Sequence, residues 1–473
     1  MNLNNIMFRE HIVDEFNFTQ EEEEKFSELE NKFIEKYFNV LPTTTPSERR
    51  DMVIRFIISE DIHMGEEEVL RAADYISSYG ILKPLFEDDE IEEILILDTN
   101  KPVYVVHREK GKCSTNIQYK YKEQIFKLIE KIKIFSGELT EKPLLDTTLP
   151  EGVRVNITLP PVSFRRPVIT IRKFLENQPT IVDLINNGTV TAEAAAFLWT
   201  CIDGFNIAPQ NLIICGGIGC GKTTLLNALL MFSRETERII SIEDTFELNL
   251  DYIIDWVRMK STDNIPMTEL VKNSLRQRGD RIIVGEVRGE EAFVLAAAMN
   301  VGHNCMGTIH GNTARDTILR MRSPPMNVPI NMISVIHLII TLKRFTEKSK
   351  SVRQVVEIKE VGNIVGEVVQ LGEVYVYDSE QKKIVFENFP ATIINSMAYK
   401  SGISQKKILK EIKIRESVLD FMAQNKINEQ SDFIQFIRKY YEDKKYVLEK
   451  IKAKQKGKKD TDSLLKIHSS PYL

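Results

Sequence analysis

The segment Gly216-Gly217-Ile218-Gly219-Cys220-Gly221-Lys222-Thr223-Thr224 limits what this 473-residue chain can fold into more sharply than any other. It fits G-x-x-x-x-G-K-S/T, a phosphate-binding loop. Residues 210–215 before it are largely apolar and read as a buried strand, and residues 225–230 after it read as a helix. Strand, glycine-rich turn and helix in that order is the context such a loop requires. The glycines let backbone N–H groups point inward around phosphate oxygens, and the helix N-terminus adds positive potential. All nine residues of the segment are candidates for nucleotide contact. Lys222 is placed to reach the β- and γ-phosphates, and the Thr223 hydroxyl to ligate Mg²⁺. An ordinary glycine turn before a helix is the alternative, and the motifs downstream argue against it.

A chain of this length holds roughly two to four domains. The net charge of −5 does not suit a general nucleic-acid binder. Five cysteines (Cys113, Cys201, Cys215, Cys220, Cys305) are scattered with no C-x-x-C pair, so neither a zinc site nor a disulfide framework is indicated. Reduced cytosolic thiols are the default for such a pattern. No signal-peptide pattern opens the chain. Apolar runs such as 335–342 fall short of the ~20 residues that span a bilayer. A cytoplasmic protein is therefore expected, reaching a membrane face through a partner or a surface patch.

Residues 1–48 are acidic and helical in pattern, with Phe26, Leu29, Phe33 and Tyr37 at helical spacing. A second helical stretch is expected over 51–78, strands over 91–96 and 103–107, a helix over 121–135, and strands over 153–159 and 168–172. This makes an α/β unit over 51–173. Asn177 and Pro179 mark a linker over 174–180. A helix over 192–202 leads into the loop strand, and strands then alternate with helices, which argues for a parallel, doubly wound sheet in a domain spanning 181–380. Residues 355–360, 367–370 and 373–377 read as a β-rich extension with glycine turns. Residues 385–452 turn helical, and 453–473 form a Lys-rich tail expected to be disordered.

The strand at 239–242 ends in Glu243-Asp244-Thr245-Phe246-Glu247, and that at 281–284 ends in Gly285-Glu286. Carboxylates at strand ends beside a phosphate loop sit where ligands bind in open α/β sheets. The second reads as the Walker B strand, its Glu286 carboxylate near Mg²⁺ or its waters. Farther on, His303 and His310 stand seven residues apart, with a strand expected at 306–309 between them. Each cluster alone is compatible with a polar strand end; in this order, together, they make a site.

These motifs resemble those of the secretion ATPases of type II and type IV secretion, type IV pilus and archaellum motors. The resemblance covers the phosphate loop, an "aspartate box" over 242–248, Gly285-Glu286-Val287-Arg288, a "histidine box" over 302–310, Arg154-Val155-Asn156 and Thr170-Ile171-Arg172. It runs from about residue 80 to 380, and residues 158–165, Phe174 and 181–189 look most like the archaeal branch. It implies a RecA-like P-loop core, a smaller N-terminal α/β domain that closes over the nucleotide, a homo-hexameric ring, ATP and Mg²⁺ as ligands, and a polytopic membrane platform as partner. By the same resemblance Glu247 is the catalytic base, Glu286 the Walker B carboxylate, and His303 and His310 sense the γ-phosphate. Arg154 and Arg172 reach the nucleotide on closure, and Arg320 looks like a family arginine to which the resemblance assigns no definite role. Solvated ion-paired arginines and structural histidines remain the plainer readings of those residues.

Two departures stand out. Gly279 occupies a position before the Walker B strand where Pro is usual, and Cys220 a loop position where Ser or Ala is usual. A thiol at a helix N-terminus can have a lowered pKa, so Cys220 is either a small filler or a redox handle. The basic run over 444–459 suits either a solvated tail or anionic headgroups, and Glu21–Glu24 either a solvated helix face or a docking arm. The sequence thus points to a cytoplasmic ATPase that powers a pilus-like or archaellum-like filament or secretion. A RecA-fold nucleic-acid translocase is the alternative; no nucleic acid is expected, because the core lacks a basic patch interleaved with aromatics.

Overall fold

A computed structural model describes residues 9–14, 18–108, 110–173, 178–262, 264–347 and 350–455. The chain divides into two units, Met1–Glu176 and Asn177–Leu473.

The first unit carries a seven-stranded sheet in the order β1-β4-β3-β2-β7-β6-β5. Its strands are β1 (Arg9–His11), β2 (Ile91–Ile96), β3 (Pro102–His107), β4 (Gly111–Gln118), β5 (Leu144–Thr148), β6 (Arg154–Thr158) and β7 (Val168–Arg172). All pairings are antiparallel except β1 with β4. Period-two alternation sends Val155, Ile157, Ile169 and Ile171 into the core. Arg154 and Arg172 therefore share the other face, directly opposite one another in register.

Helix Gln20–Tyr37 starts at a capping box in which Thr19 and Glu22 satisfy each other's backbone N–H groups. Its Phe26 and Phe33 are fully buried with sheet residues in one core. The single helical stretch expected over 51–78 is instead two helices, Pro46–Ser59 and Glu66–Ser77. Thr45 caps the first and Pro46 occupies its first turn, so it begins before residue 51. Asp61 at φ 53° breaks the run. Strand β1 lies inside the segment expected to be wholly helical, and β4 and β5 carry too many polar residues to announce themselves.

The second unit carries a nine-stranded sheet in the order β10-β9-β11-β12-β8-β13-β14-β15-β16. The strands are β8 (Leu212–Gly216), β9 (Arg238–Glu243), β10 (Asp255–Lys260), β11 (Arg281–Val287) and β12 (Asn304–His310), then β13 (Leu338–Glu347), β14 (Lys350–Val365), β15 (Val368–Asp378) and β16 (Lys383–Phe386). The six strands from β10 to β13 pair in parallel, and the last three add antiparallel. The β-rich extension expected after residue 355 is thus part of the main sheet, with its two later pieces fused into β15.

Both faces of this sheet are covered. In β8, Leu212 and Ile214 join the core on one face and Ile213 and Cys215 the core on the other. That explains the continuous apolar run that marked this strand in the sequence. The C-terminal region contributes four helices, Ala391–Ser401, Gln405–Gln424, Gln430–Glu442 and Lys444–Gln455, rather than a helical run from 385. Helices Gln405–Gln424 and Gln430–Glu442 meet helix Ala192–Asp203, where Trp199, stacked on Phe232 at 4.9 Å, donates to the Tyr441 hydroxyl at 2.7 Å. The buried Arg415 donates to Asp203 at 2.6 Å. Most of the expected linker lies outside the described residues, and so does the tail beyond Gln455; Thr180 caps helix Ile181–Asn186. Among the described residues no helix is long and apolar enough to cross a membrane.

Candidate active site

Because β8, β9, β11 and β12 run in parallel, their carboxyl ends lie along one edge of the sheet. Gly216, Glu243, Glu286 and His310 arrive there from four strands, and His310 sits opposite Gly216 in register. This is the edge at which open α/β sheets bind ligands.

The loop 216–221 ends at Gly221, whose φ of 94° starts helix Lys222–Leu230 from a conformation that disfavours any side chain. The Lys222 side chain is buried and donates to the carbonyls of Gly216 and Gly217 at 3.3 and 3.1 Å. Its Nζ also lies 3.4 Å from His310 Nδ1. The other ring nitrogen, Nε2, lies 2.8 Å from Glu286 Oε1. A neutral imidazole protonated on Nε2 leaves Nδ1 to accept from Lys222 and sets the Nε2–H beside Glu286, a tautomer assigned from these neighbours. Burial, followed by the Lys222 charge, holds the His310 pKa below its usual 6.5, in keeping with that neutral ring.

Glu286 is held on its other side by Arg288, which donates at 2.6 Å and also pairs with Asp244 at 3.3 Å. Burial pushes the Glu286 carboxyl upward, but the Arg288 hydrogen bond and charge outweigh it and leave the pKa below 4.5. Lys222, His310, Glu286, Arg288 and Asp244 form one continuous polar line. Arg320 donates to the His310 carbonyl at 3.3 Å, which places it beside this line.

Glu247 is half-buried in an irregular segment after β9. Its backbone N–H donates to Glu243 at 2.6 Å. Glu243 is 1 % exposed, and burial pushes its carboxyl up to about 7 despite two backbone donors and Arg258. Three residues here escaped the sequence reading: Asn227, Arg258 and Arg353. Arg353 on β14 donates to the Gly219 carbonyl at 3.0 Å and braces the loop from outside. An asparagine inside a helix, four residues past Thr223, was the available signal for Asn227. Arg353 lies 131 residues past Lys222 and had no local signal.

His303 stands apart from these residues. It precedes β12 and therefore stands at the amino edge, about 20 Å from His310 along the strand. Seven residues of strand carry the chain from one edge of the sheet to the other, so the two histidines do not meet within the chain. Of the two readings of Cys220, the small filler fits: it is 1 % exposed and burial raises its thiol pKa. Arg154 makes a two-pronged hydrogen bond to Asp146 at 3.0 and 2.7 Å in the first unit, and Arg172 beside it is exposed.

A cleft of about 210 Å³ adjoins the loop, walled by Pro179, Leu184, Thr189, Thr224, Leu342 and Arg353 among others. Among the described residues no three His, Cys, Asp or Glu side chains gather to hold a metal. Mg²⁺ needs no such cluster, since it keeps several waters and takes one or two protein ligands with substrate phosphates. An ionised Glu286 facing the loop and a hydroxyl on the first helical turn fit that requirement.

Parallel sheet, phosphate loop and acidic strand ends define the P-loop class of α/β fold. Residues 85–460 match the family described as type II/IV secretion system protein. The chain belongs to this family. It is 43 % identical over 239 residues to the uncharacterized protein MJ0781 of Methanocaldococcus jannaschii, covering 48 % of this chain and 33 % of that protein. It therefore spans only a third of that relative's length. With MJ0900 of the same organism it is 30 % identical over 377 residues, 77 % of this chain and 67 % of the relative. Among solved structures, the Legionella pneumophila ATPase DotB aligns over 68 % of this chain and 92 % of its own, at 21 % identity and a TM-score of 0.43.

Proposed function

We propose that this chain is a Mg²⁺-dependent ATP hydrolase that works as a homo-hexameric ring on the cytoplasmic face of a membrane. In this reading it drives a pilus-like or archaellum-like filament, or secretion, through a polytopic membrane platform. The observation that carries the reading is the line from Lys222 through His310 to Glu286 at the loop edge of the sheet.

Lys222 exchanges its two loop carbonyls for β- and γ-phosphate oxygens, and the N–H groups of 217–223 hold the same oxygens. The cleft beside Thr224 takes the base, with Arg353 as one wall. Mg²⁺ bound near Thr223 and Glu286 supplies neutralisation of phosphate charge. Glu247 orients a water and accepts its proton as the water oxygen bonds to the γ-phosphorus and the bond to the β-phosphate oxygen breaks, releasing ADP. His310 touches both the phosphate-binding lysine and Glu286, so it is placed to report which phosphates are present. Arg154 and Arg172 of the first unit complete the charge compensation on closure. His303 is not carried into this site.

The test is Lys222→Ala in the full chain. Folding by circular dichroism is expected to be unchanged while phosphate release from ATP falls by at least ~10²-fold, the order seen when one preorganised electrostatic donor is lost. Near-normal turnover would end the assignment. Arg172→Ala is expected to bind ATP and lose ~10³-fold or more in turnover, as for an arginine finger. Sedimentation across a dilution series checks the ring: specific activity should rise as larger species form, and constant activity in a monomer would remove the ring from the proposal.

A further inference from the structure

The segment between β9 and β10 forms neither helix nor strand, yet its backbone around Glu247 is secured group by group. The N–H groups of Glu247 and Leu248 both donate to Glu243 Oε2, at 2.6 and 2.7 Å. The Glu247 carbonyl accepts from Asn227 Nδ2 at 3.2 Å, and the Leu248 carbonyl accepts from Arg258 Nη2 at 2.7 Å. The Asn249 N–H donates to Asn227 Oδ1 at 3.0 Å. Five backbone groups of three successive residues are thus satisfied by three side chains, from the helix after the phosphate loop, from β9 and from β10.

Irregular segments ordinarily run over the surface and bond to water. Here the partners are built in, and each is an unfavourable choice on its own. Asn227 is 1 % exposed in the interior of helix Lys222–Leu230, where alanine or leucine forms helix better. Glu243 is a carboxyl taken almost wholly out of water. Room for it depends on Gly285 of β11, where an added Cβ would stand 3.1 Å from Glu243 Cγ. Arg258 lies against the rings of Phe246 and Trp256, 4.2 and 4.8 Å from their centroids, which fixes its fork toward Glu243 and Leu248. Residues that break local preference together, round one turn, mark a segment whose exact course matters.

Asn227 makes one further bond. Its Nδ2 also donates to the Thr223 carbonyl at 3.2 Å. One amide therefore ties the first turn of the helix after the phosphate loop to the backbone of Glu247. We propose that Asn227, Glu243 and Arg258 are positioning residues that present the Glu247 carboxylate to the hydrolytic water. Asn227 sets its distance from the turn that carries Thr223. The inference rests on the reading of Glu247 as the base. None of the three touches substrate in this scheme; they act through Glu247.

The experiment is a double-mutant cycle on the full-length chain. Asn227→Ala is expected to lower kcat ~10- to 10²-fold with KM for ATP unchanged, the scale of a 1 Å misplacement of a catalytic group. Glu243→Ala should do the same, whereas Glu243→Gln, which keeps an acceptor oxygen for the two N–H groups, should restore most of the activity. In a Glu247→Gln background Asn227→Ala should cause no further loss in kcat, because the group it positions is gone. Losses that multiply in that background, or that fall on KM alone, would overturn the proposal. If Asn227→Ala does not fold, Arg258→Lys, which removes the fork on a half-exposed side chain, runs through the same cycle with the same two readings. A Glu247→Gln variant that turns over like the wild type would instead reject Glu247 as the base, a separate failure.

Discussion

The two edges of the nine-stranded sheet collect different things. At the carboxyl edge Lys222, His310, Glu286 and Arg288, drawn from the ends of three strands, lie within hydrogen-bonding distance of one another in sequence. At the amino edge His303 donates its backbone N–H to Ala298 and closes the turn between helix Glu291–Asn300 and β12. Two histidines of one motif thus stand at the two ends of one strand, at opposite edges. Parallel strands bring their like ends together, so residues far apart in sequence meet at one edge, while near neighbours a strand length apart are separated by the full width of the sheet. For a protein of this kind the edge a residue occupies says more about its role than its distance from a motif.

The largest effects expected from this contrast lie at the carboxyl edge. Glu286→Gln removes the charge that both His310 and Arg288 face, and turnover should fall by at least ~10²-fold with a changed Mg²⁺ dependence. His310→Ala should cost about tenfold, since Lys222 keeps its loop carbonyls and Glu286 keeps Arg288. Steady-state rates across a Mg²⁺ titration check both. If Glu286→Gln responded to Mg²⁺ as the wild type does, its place beside the metal would be lost.

A second expectation concerns stability at the same edge. Burial holds the Glu243 carboxyl near 7 in the folded chain, against 4.5 when exposed. Between these values the folded state keeps a proton that the unfolded state has released. The sign is therefore destabilising as pH rises: stability associated with this group is full below about 4.5, falls on the way to about 7 and is level above it. The whole effect is on the order of 3 kcal/mol. Thermal midpoints of wild type and Glu243→Gln, compared from pH 4.5 to 7.5, should diverge across that window with the wild type falling faster. Parallel pH profiles would mean that the carboxyl is not held neutral by its burial.

How much of this could be read in advance depended on the edge as well. Strands β8, β9, β11 and β12 are buried on both faces and so spell continuous apolar runs, and the polar residue that ends each run is the site residue: Gly216, Glu243, Glu286, His310. Strand β10, Asp-Trp-Val-Arg-Met-Lys, is an edge strand with no buried residue, and nothing in its composition announces it. Asn227 and Arg258 stayed hidden because their task is to bond backbone, which leaves no pattern in the side chains they serve. Arg353 became visible only once β14 was seen to continue the main sheet beside the loop. In the first unit, alternation alone turns Arg154 and Arg172 away from the core, since their neighbours Val155 and Ile171 face inward, but only the β6–β7 register sets the two arginines opposite one another.

The smallest expected effect is the one that tests the contrast most directly. His303 sits in a motif whose other histidine contacts the loop lysine, so an argument from spacing assigns it a part in hydrolysis. The fold places it about 20 Å away, before the first residue of β12. Its backbone bonds to Ala298 and Cys305 do not involve the imidazole, so the side chain can be replaced without disturbing them. His303→Ala should therefore leave kcat and KM within about twofold of the wild type, and its thermal midpoint within the range of an ordinary surface substitution, about 0.5 kcal/mol. His310→Ala measured beside it supplies the scale. A loss in His303→Ala as large as that in His310→Ala would show that position along the strand does not decide the role. It would return the motif to a single functional unit, with His303 acting on a site other than the one its own chain builds.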